Sequence, residues 1–317
     1  MDDFLSHWYS NGTLLVLWGA LIANFFLPLP RAVHPMLIWQ KFALILSDKV
    51  NTSTHYSQQL LSGTLAWMLM CLPAAALFIA LQPLVWHPQL FQLALLMLAL
   101  DWRNNDKLAK ALISALAQDS KPKARLALQP FVNRDTSPLS QLGLGKAGAE
   151  TLVMGYGRNV IGVLFWYALL GGIGAFLYRM MVELARTWSP SRDEFSPFGL
   201  PAIKILAVLD FVPMRLFASL VSIGQRAGYA LSLIRQQASS WPLPGPSWLL
   251  IAVGGKLQLS LGGPAMYRGK KRIRSKIGGR IAPSAIHLAQ IKQLLAWRII
   301  IWIVLQSCLL GVIYQGI

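Results

Sequence analysis

The sequence predicts an all-α integral membrane protein with about five to six transmembrane helices and two cytoplasmic helical or loop segments. Three observations predict it. Of 317 residues, 55% are hydrophobic and only 13% are charged, where a soluble domain carries roughly a quarter charged residues. The mean hydropathy is +0.49. Apolar residues also gather in runs of about the length that crosses a bilayer as a helix. Too few charges remain to coat a soluble surface. The same shortage excludes a disordered or acidic scaffold. Lys+Arg 29 against Asp+Glu 12 gives a formal net charge of +17, but in a membrane protein the positive-inside rule accounts for a basic excess without nucleic acid.

The runs follow in order. The N-terminus opens on Asp2 and Asp3 without a basic region or cleavage site, so it does not read as a signal peptide. The first run is 13–30. The second (64–81) and third (84–100) are separated by Gln82-Pro83. The fourth, 159–182, holds Leu164-Phe165-Trp166-Tyr167 and then Gly171, Gly172 and Gly174, small residues that let another helix come close. The fifth, 202–224, is interrupted by Asp210, Pro213 and Arg215, and the sixth is 296–314.

Charge tests the count. Segments 31–63, 101–158 and 225–295 hold three, nine and eleven of the 29 basic residues. Six crossings put all three on one face and both termini on the other, and the positive-inside rule makes the shared face cytoplasmic, as in a bacterial inner membrane. The chain reads as a single membrane domain, 1–317, with no internal repeat. Within 101–158, residues 105–117 have helical apolar spacing. Segment 225–295 contains the Pro-rich stretch 241–246, the short apolar stretch 248–253, Leu261-Gly262-Gly263-Pro264 and the basic run 268–276. That run reads either as a patch on anionic lipid headgroups or as a contact for a phosphate-bearing substrate. Cys71 and Cys308 both sit in apolar runs and read as packing residues.

Familiar catalytic motifs are absent. Gly143-Leu144-Gly145 is too short for a nucleotide fingerprint, and there is no HExxH, CxxC or nucleophile elbow. Three polar features stand out. His34-Pro35 follows the first run at the membrane boundary. Asn133-Arg134-Asp135-Thr136 is a compact loop able to offer donors to an anion. Asp210 and Arg215 lie within the fifth run, where ionisable residues are costly and raise a functional hypothesis beside the plain one of a mutually satisfied pair.

Taken together these features resemble the CobD/CbiB family of membrane-bound adenosylcobinamide-phosphate synthases, from about Arg31 to Gly279. The resemblance is carried by His34-Pro35 with Ile38, by Ala124-Arg125, and by Val132-Asn133-Arg134-Asp135-Thr136-Ser137-Pro138-Leu139. It continues through Glu150-Thr151, Ile161 and Leu164-Phe165, then Tyr178, Gly199, Pro213 and Arg215-Leu216. It ends on Leu261-Gly262-Gly263-Pro264, Tyr267, Gly269 and Ile277-Gly278. The resemblance implies ATP-dependent amide formation between adenosylcobyric acid and aminopropanol or its phosphate, with Mg²⁺ on carboxylates and cationic donors on phosphates.

Carried over residue by residue, it implies His34, Asp135 and Glu150 as catalytic residues. Arg134, Thr136, Arg125 and Arg215 would bind substrate or phosphate, and Asp135 and Glu150 would hold the metal. Implied partners are corrinoid and amino-alcohol substrates, membrane lipid, and either further copies of the chain or other corrinoid-assembly proteins. Nucleic acid is not among them. A second resemblance, of Val208-Leu209-Asp210-Phe211-Val212-Pro213-Met214-Arg215-Leu216 to AmpE, implies the alternative of a non-catalytic regulatory or ligand-binding membrane protein. A transporter has only the Asp210 and Arg215 charges in its favour.

Overall fold

A computed structural model describes residues 12–26 and 34–315; the end of the first predicted run (27–30) and Arg31 lie outside the described residues. Helices dominate. They are α1 (Gly12–Phe26), α2 (Pro35–Val50), α3 (Tyr56–Leu81), α4 (Pro88–Ala99), α5 (Trp102–Ala117), α6 (Lys121–Leu128) and α7 (Gln141–Tyr156). After a π-helical turn (Gly157–Gly162) come α8 (Val163–Thr187), α9 (Leu200–Ser222), α10 (Ala227–Gln237), α11 (Pro244–Leu257) and α12 (Ala285–Gln315). Local chemistry sets several starts. Pro35, Pro88 and Pro244 open α2, α4 and α11, where a missing N–H costs nothing. Ser140 Oγ accepts from Gly143 N at 3.2 Å and caps α7.

This is an integral membrane protein. The helical stretches Tyr56–Leu84, Leu200–Ser222 and Ala285–Val312 are long and apolar enough to cross a bilayer. Their outward faces are apolar too, with Leu65, Leu69 and Leu72 on α3 and Trp297, Leu305 and Leu309 on α12 all exposed. A water-soluble surface does not carry such continuous stripes. Asp210 on α9 points inward and is fully buried. The helix continues through Pro213 without a break.

Two predicted spans take another form. The run 84–100 contains the 12-residue helix α4, which at 1.5 Å per residue reaches about 18 Å, short of a hydrocarbon core of about 30 Å. The run 159–182 is not one straight crossing. At Gly171 the backbone takes φ 66°, ψ −162° and the helix is interrupted. Beyond it the chain runs back along itself: Arg179 Nη1 donates to Asn159 Oδ1, Trp166 stacks on Tyr178 with ring centroids 6.4 Å apart, and a Cβ at Gly162 would collide with the Tyr178 hydroxyl. In a straight helix residues 159 and 179 stand about 30 Å apart. The arms 141–170 and 172–187 are therefore antiparallel. Gln92 Oε1 on α4 accepts from Gly172 N and satisfies the donor freed at the break.

The reversal changes which face the next segment occupies. Six straight crossings would put residues 183–201 opposite the basic segments, yet they lie among them. Asn51 Nδ2 donates to the Glu194 carbonyl at 2.7 Å, and Asn133 Nδ2 donates to the Arg186 carbonyl at 3.1 Å. Asp193 pairs with Lys270 and Arg272, and Glu194 with Arg268. On this face lie two small antiparallel sheets. One pairs β1 (Ser260–Gly262) with β4 (Lys276–Gly278), and the other is the hairpin of β2 (Ala265–Tyr267) and β3 (Lys270–Arg272).

Candidate functional site

Two helical features position the site. The second arm of the reversed pair presents Arg179, Glu183 and Arg186 at i, i+4 and i+7, one face of a helix. Helix α7 presents Glu150, 6% exposed, toward the loops. Arg134 Nη2 bonds Glu150 Oε2. Arg274 Nη2 lies 3.2 Å from Oε2 and 3.4 Å from Oε1, and Gly262 N donates to Oε1 at 2.8 Å. One helical carboxylate thus ties together the Arg134 loop, β1 and the segment between β3 and β4. Arg274 is itself held by the Gly263 carbonyl at 3.1 Å and by the Trp241 ring.

A cavity of about 290 Å³ opens beside this cluster, lined by Arg134, Arg158, Arg179, Arg186 and Arg274 with Glu150 and Glu183 as its acids. Arg158 Nε pairs with Asp210 Oδ2 at 2.8 Å, and Tyr178 OH donates to Asp210 Oδ1 at 2.7 Å. The Nη2 of Arg158 is buried without a partner among the described residues.

A second cavity of about 520 Å³ shares Asn133, Arg179, Glu183 and Arg186 with the first and adds His34, Gln40, Asp101 and Asn104. Arg179 Nη2 stands between two carboxylates, 2.7 Å from Glu183 Oε1 and 3.4 Å from Asp101 Oδ2. Gln40 Nε2 donates to Glu183 Oε2 at 2.6 Å, and Asn104 Nδ2 to Asp101 Oδ1 at 2.7 Å. His34 caps α2, its Nδ1 accepting from Met36 N at 3.2 Å. Burial, and next the charge of Arg179, hold this imidazole below its ordinary value, against the opposing pull of Asp101 and Glu183. A third cavity, of about 510 Å³, lies under the β2–β3 hairpin between Arg125, Arg134, Asp135, Thr136, Arg192 and Arg268.

The structure brings most of the sequence-predicted residues together. Arg134 meets Glu150 directly, while Asp135 and Thr136 stand beside Arg134 on the third cavity. Asp135 Oδ2 accepts from Gly269 N and its own N–H donates to Met266 O, both at 2.9 Å, so this residue anchors the hairpin. Arg125 donates to the Leu139 carbonyl at 3.0 Å and closes its own loop.

Three expectations change. Arg215 lines none of the three cavities; it stacks on Phe211 and Trp248 at 3.7 and 4.7 Å. The Asp210–Arg215 pair is not formed either, because a residue five along a helix points well away from its partner, and Asp210 takes Arg158 and Tyr178 instead. Glu150 already engages two guanidiniums and a backbone N–H, a set that suits an anion's counter-charges and not a cation's ligands. Among the described residues no group of three or more His, Cys, Asp or Glu side chains could hold a metal ion.

Sequence reasoning missed Asp101, Arg158, Arg179, Glu183, Arg186 and Arg274. The helical spacing of Arg179, Glu183 and Arg186 directly after an apolar run was the available signal. Arg274 was not singled out within a basic run that reads either as a lipid-headgroup patch or as a phosphate contact, and the run is in fact divided. Arg268 lines the third cavity, Lys270 and Arg272 pair with Asp193, and Arg274 reaches Glu150.

Fold and site define a helical membrane protein with adjoining polar cavities between a reversed helix pair and a loop-rich face. Residues 17–297 match the CobD/Cbib protein family, and the chain belongs to it. The cobalamin biosynthesis protein CobD of Stutzerimonas stutzeri (strain A1501) is 31% identical over 285 residues, covering 90% of this chain and 94% of its own. The protein of the same name from Chromobacterium violaceum is 32% identical over 58% of this chain and 59% of its own. That from Brucella suis biovar 1 is 24% identical over 80% and 83%. No solved structure matches.

Proposed function

We propose that this chain is an inner-membrane amide synthase of cobalamin biosynthesis, with its basic loop-rich face in the cytoplasm. It would join a propionate of adenosylcobyric acid to aminopropanol or its phosphate. The observation that carries the reading is the shared wall of the first two cavities, because a condensation needs two binding places that meet. The arginine-lined cavity suits a carboxylate or phosphate, which guanidinium forks match in geometry. The second cavity is left for the amine, whose ammonium would have to compete with Arg179 and Arg186 for the Glu183 carboxylate and with Arg179 for Asp101. A corrin macrocycle is larger than either, so only its acidic side chain enters.

At the shared wall the amine nitrogen would bond to the activated carboxyl carbon and give up a proton, while the carbon's bond to the oxygen that carries the ATP-derived phosphoryl group breaks and phosphate leaves; Glu183 is the carboxylate standing there. Arg179, between Glu183 and Asp101, fixes both. His34 is a positioning residue in this scheme. Its Nδ1 accepts from Met36, so in the neutral ring the proton sits on Nε2, and the lowered proton affinity keeps it neutral near pH 7.

ATP with Mg²⁺ would supply the leaving group that activates the carboxylate. Mg²⁺ takes one or two carboxylates plus phosphates and water. Asp135, on the rim of the third cavity, fits that demand, with Arg125, Arg134 and Thr136 toward the phosphates. Glu150, clamped by two arginines, does not.

The test is growth rescue of a synthase-deleted bacterium fed cobyric acid. Rescue that Asp135→Asn abolishes, with the variant still present in the membrane, supports a synthase. Failure of the unaltered chain, shown to be in the membrane, would turn the reading to the non-catalytic, AmpE-like binding protein.

A further inference from the structure

The third cavity holds more cation than its described neighbours neutralise. Arg125, Arg134, Arg192 and Arg268 line it, and Asp135 is its one lining carboxylate. Asp135 is engaged by Gly269 N and Arg134 by Glu150. The Nε atoms of Arg125 and Arg192 are buried with no hydrogen-bond partner among the described residues. A buried guanidinium donor left unpaired is costly, and a phosphate oxygen is the acceptor that guanidinium geometry fits best.

The three remaining guanidiniums come from separate segments. Arg125 is on α6, and Arg192 is in the loop before α9. Arg268 sits in the tight β2–β3 turn, with φ 47° followed by Gly269 at φ 76°. Arg192 is crowded. Burial lowers its proton affinity first of all; Glu194 opposes this, while Arg268 and Arg186 add to it. Glu194 is the acid that relieves the crowding, with Oε1 3.5 Å from Arg192 Nη1 and Oε2 bonded to Arg268 Nη1. It bridges two cavity arginines without lining the cavity itself.

We infer that this cavity is a phosphate site gripped by Arg125, Arg192 and Arg268, and that Glu194 is an internal carboxylate holding Arg192 and Arg268 until the anion displaces it. The inference rests on the proposed reading of this cavity as the phosphate side of the site. It adds Arg192, Arg268 and Glu194, which the reaction scheme leaves unused. A free phosphate or oligophosphate and a lipid phosphate headgroup present the same chemistry to the three arginines.

The experiment is equilibrium dialysis of radiolabelled pyrophosphate against the purified full-length chain in neutral detergent. A second arm measures thermal stability in nanodiscs of phosphatidylglycerol against phosphatidylcholine. Arg192→Gln should weaken pyrophosphate binding about tenfold or more, as loss of a charge-assisted hydrogen bond does. Glu194→Gln should tighten it several-fold, because the competitor is gone, and Lys41→Gln on exposed α2 should change nothing. Should Arg192→Gln fail to fold, the gain in Glu194→Gln decides alone. Stabilisation confined to phosphatidylglycerol discs, with the same order of variants, would support the site with a headgroup as its ligand. Binding that neither Arg192→Gln nor Glu194→Gln alters overturns the inference and leaves the cavity's phosphate reading standing. No binding in either arm overturns both.

Discussion

Two buried carboxylates, Asp210 and Glu150, are each held by arginine, yet they do different work. Asp210 is fully buried and its partners are both helical, Arg158 in the π-helical turn and Tyr178 on the returning arm. Glu150 is almost as buried, but its partners all lie outside helices: Arg134 in a loop, Gly262 at the end of β1, and Arg274 beyond the hairpin. The first pair locks elements that cannot separate without unfolding. The second fastens loops that can swing into water. The comparison teaches that a buried charge pair has to be judged by what its partners are attached to.

The largest effect should come from breaking the helical pair. Asp210→Ala leaves Arg158 uncompensated among helices and should cost about 3–5 kcal/mol, the range for a buried pair broken on one side. Thermal unfolding in detergent measures it, and a shift below about 1 kcal/mol would refute the lock. Arg274→Gln should cost less, about 1–2 kcal/mol, since the hairpin can rehydrate. Its clearer signature is faster tryptic cleavage within residues 268–272, and unchanged cleavage would argue against a fastened hairpin.

His34 sharpens the comparison through pH. Its folded-state value lies below the ordinary 6.5, so the unfolded chain binds the proton more readily. The stabilisation is complete above about pH 6.5 and falls as pH drops below it, toward the lower folded value. Melting temperature should therefore decline on acidification, and less steeply in His34→Asn, where the amide oxygen can still cap α2. Equal slopes in both proteins would remove His34 as the titrating group. The smallest effect is expected from Asp193→Asn. This solvent-facing pairing with Lys270 and Arg272 should leave the melting temperature unmoved and only quicken hairpin cleavage, most visibly at low salt where surface charges act.

The all-α membrane class was legible in the sequence because apolar content and span length are properties of composition. The reversal at Gly171 was not, since an apolar run reads the same whether it crosses once or turns back. Its one local sign, Gly171-Gly172, also fits close helix packing. Arg134, Asp135 and Glu150 were legible through their ordered motif. The partners Arg274 and Arg158 arrive from 124 and 52 residues away in sequence, distances that periodicity cannot bridge. Arg215 misled because a charge inside an apolar run implies a charged partner, whereas here two aromatic faces flank it and its Nε has no hydrogen-bond partner among the described residues.

The most direct test of the central claim is mass spectrometry of a reaction run by the purified chain in detergent. It would receive adenosylcobyric acid, aminopropanol or its phosphate, ATP and Mg²⁺. The expected product has the mass of acid plus amine less one water and is strongly reduced in Glu183→Gln, whose folding is checked by thermal unfolding because Glu183 is a buried partner of Arg179. Absence of that product, from protein that is folded and binds pyrophosphate, would contradict the synthase reading and leave a membrane protein that binds its ligand without turning it over.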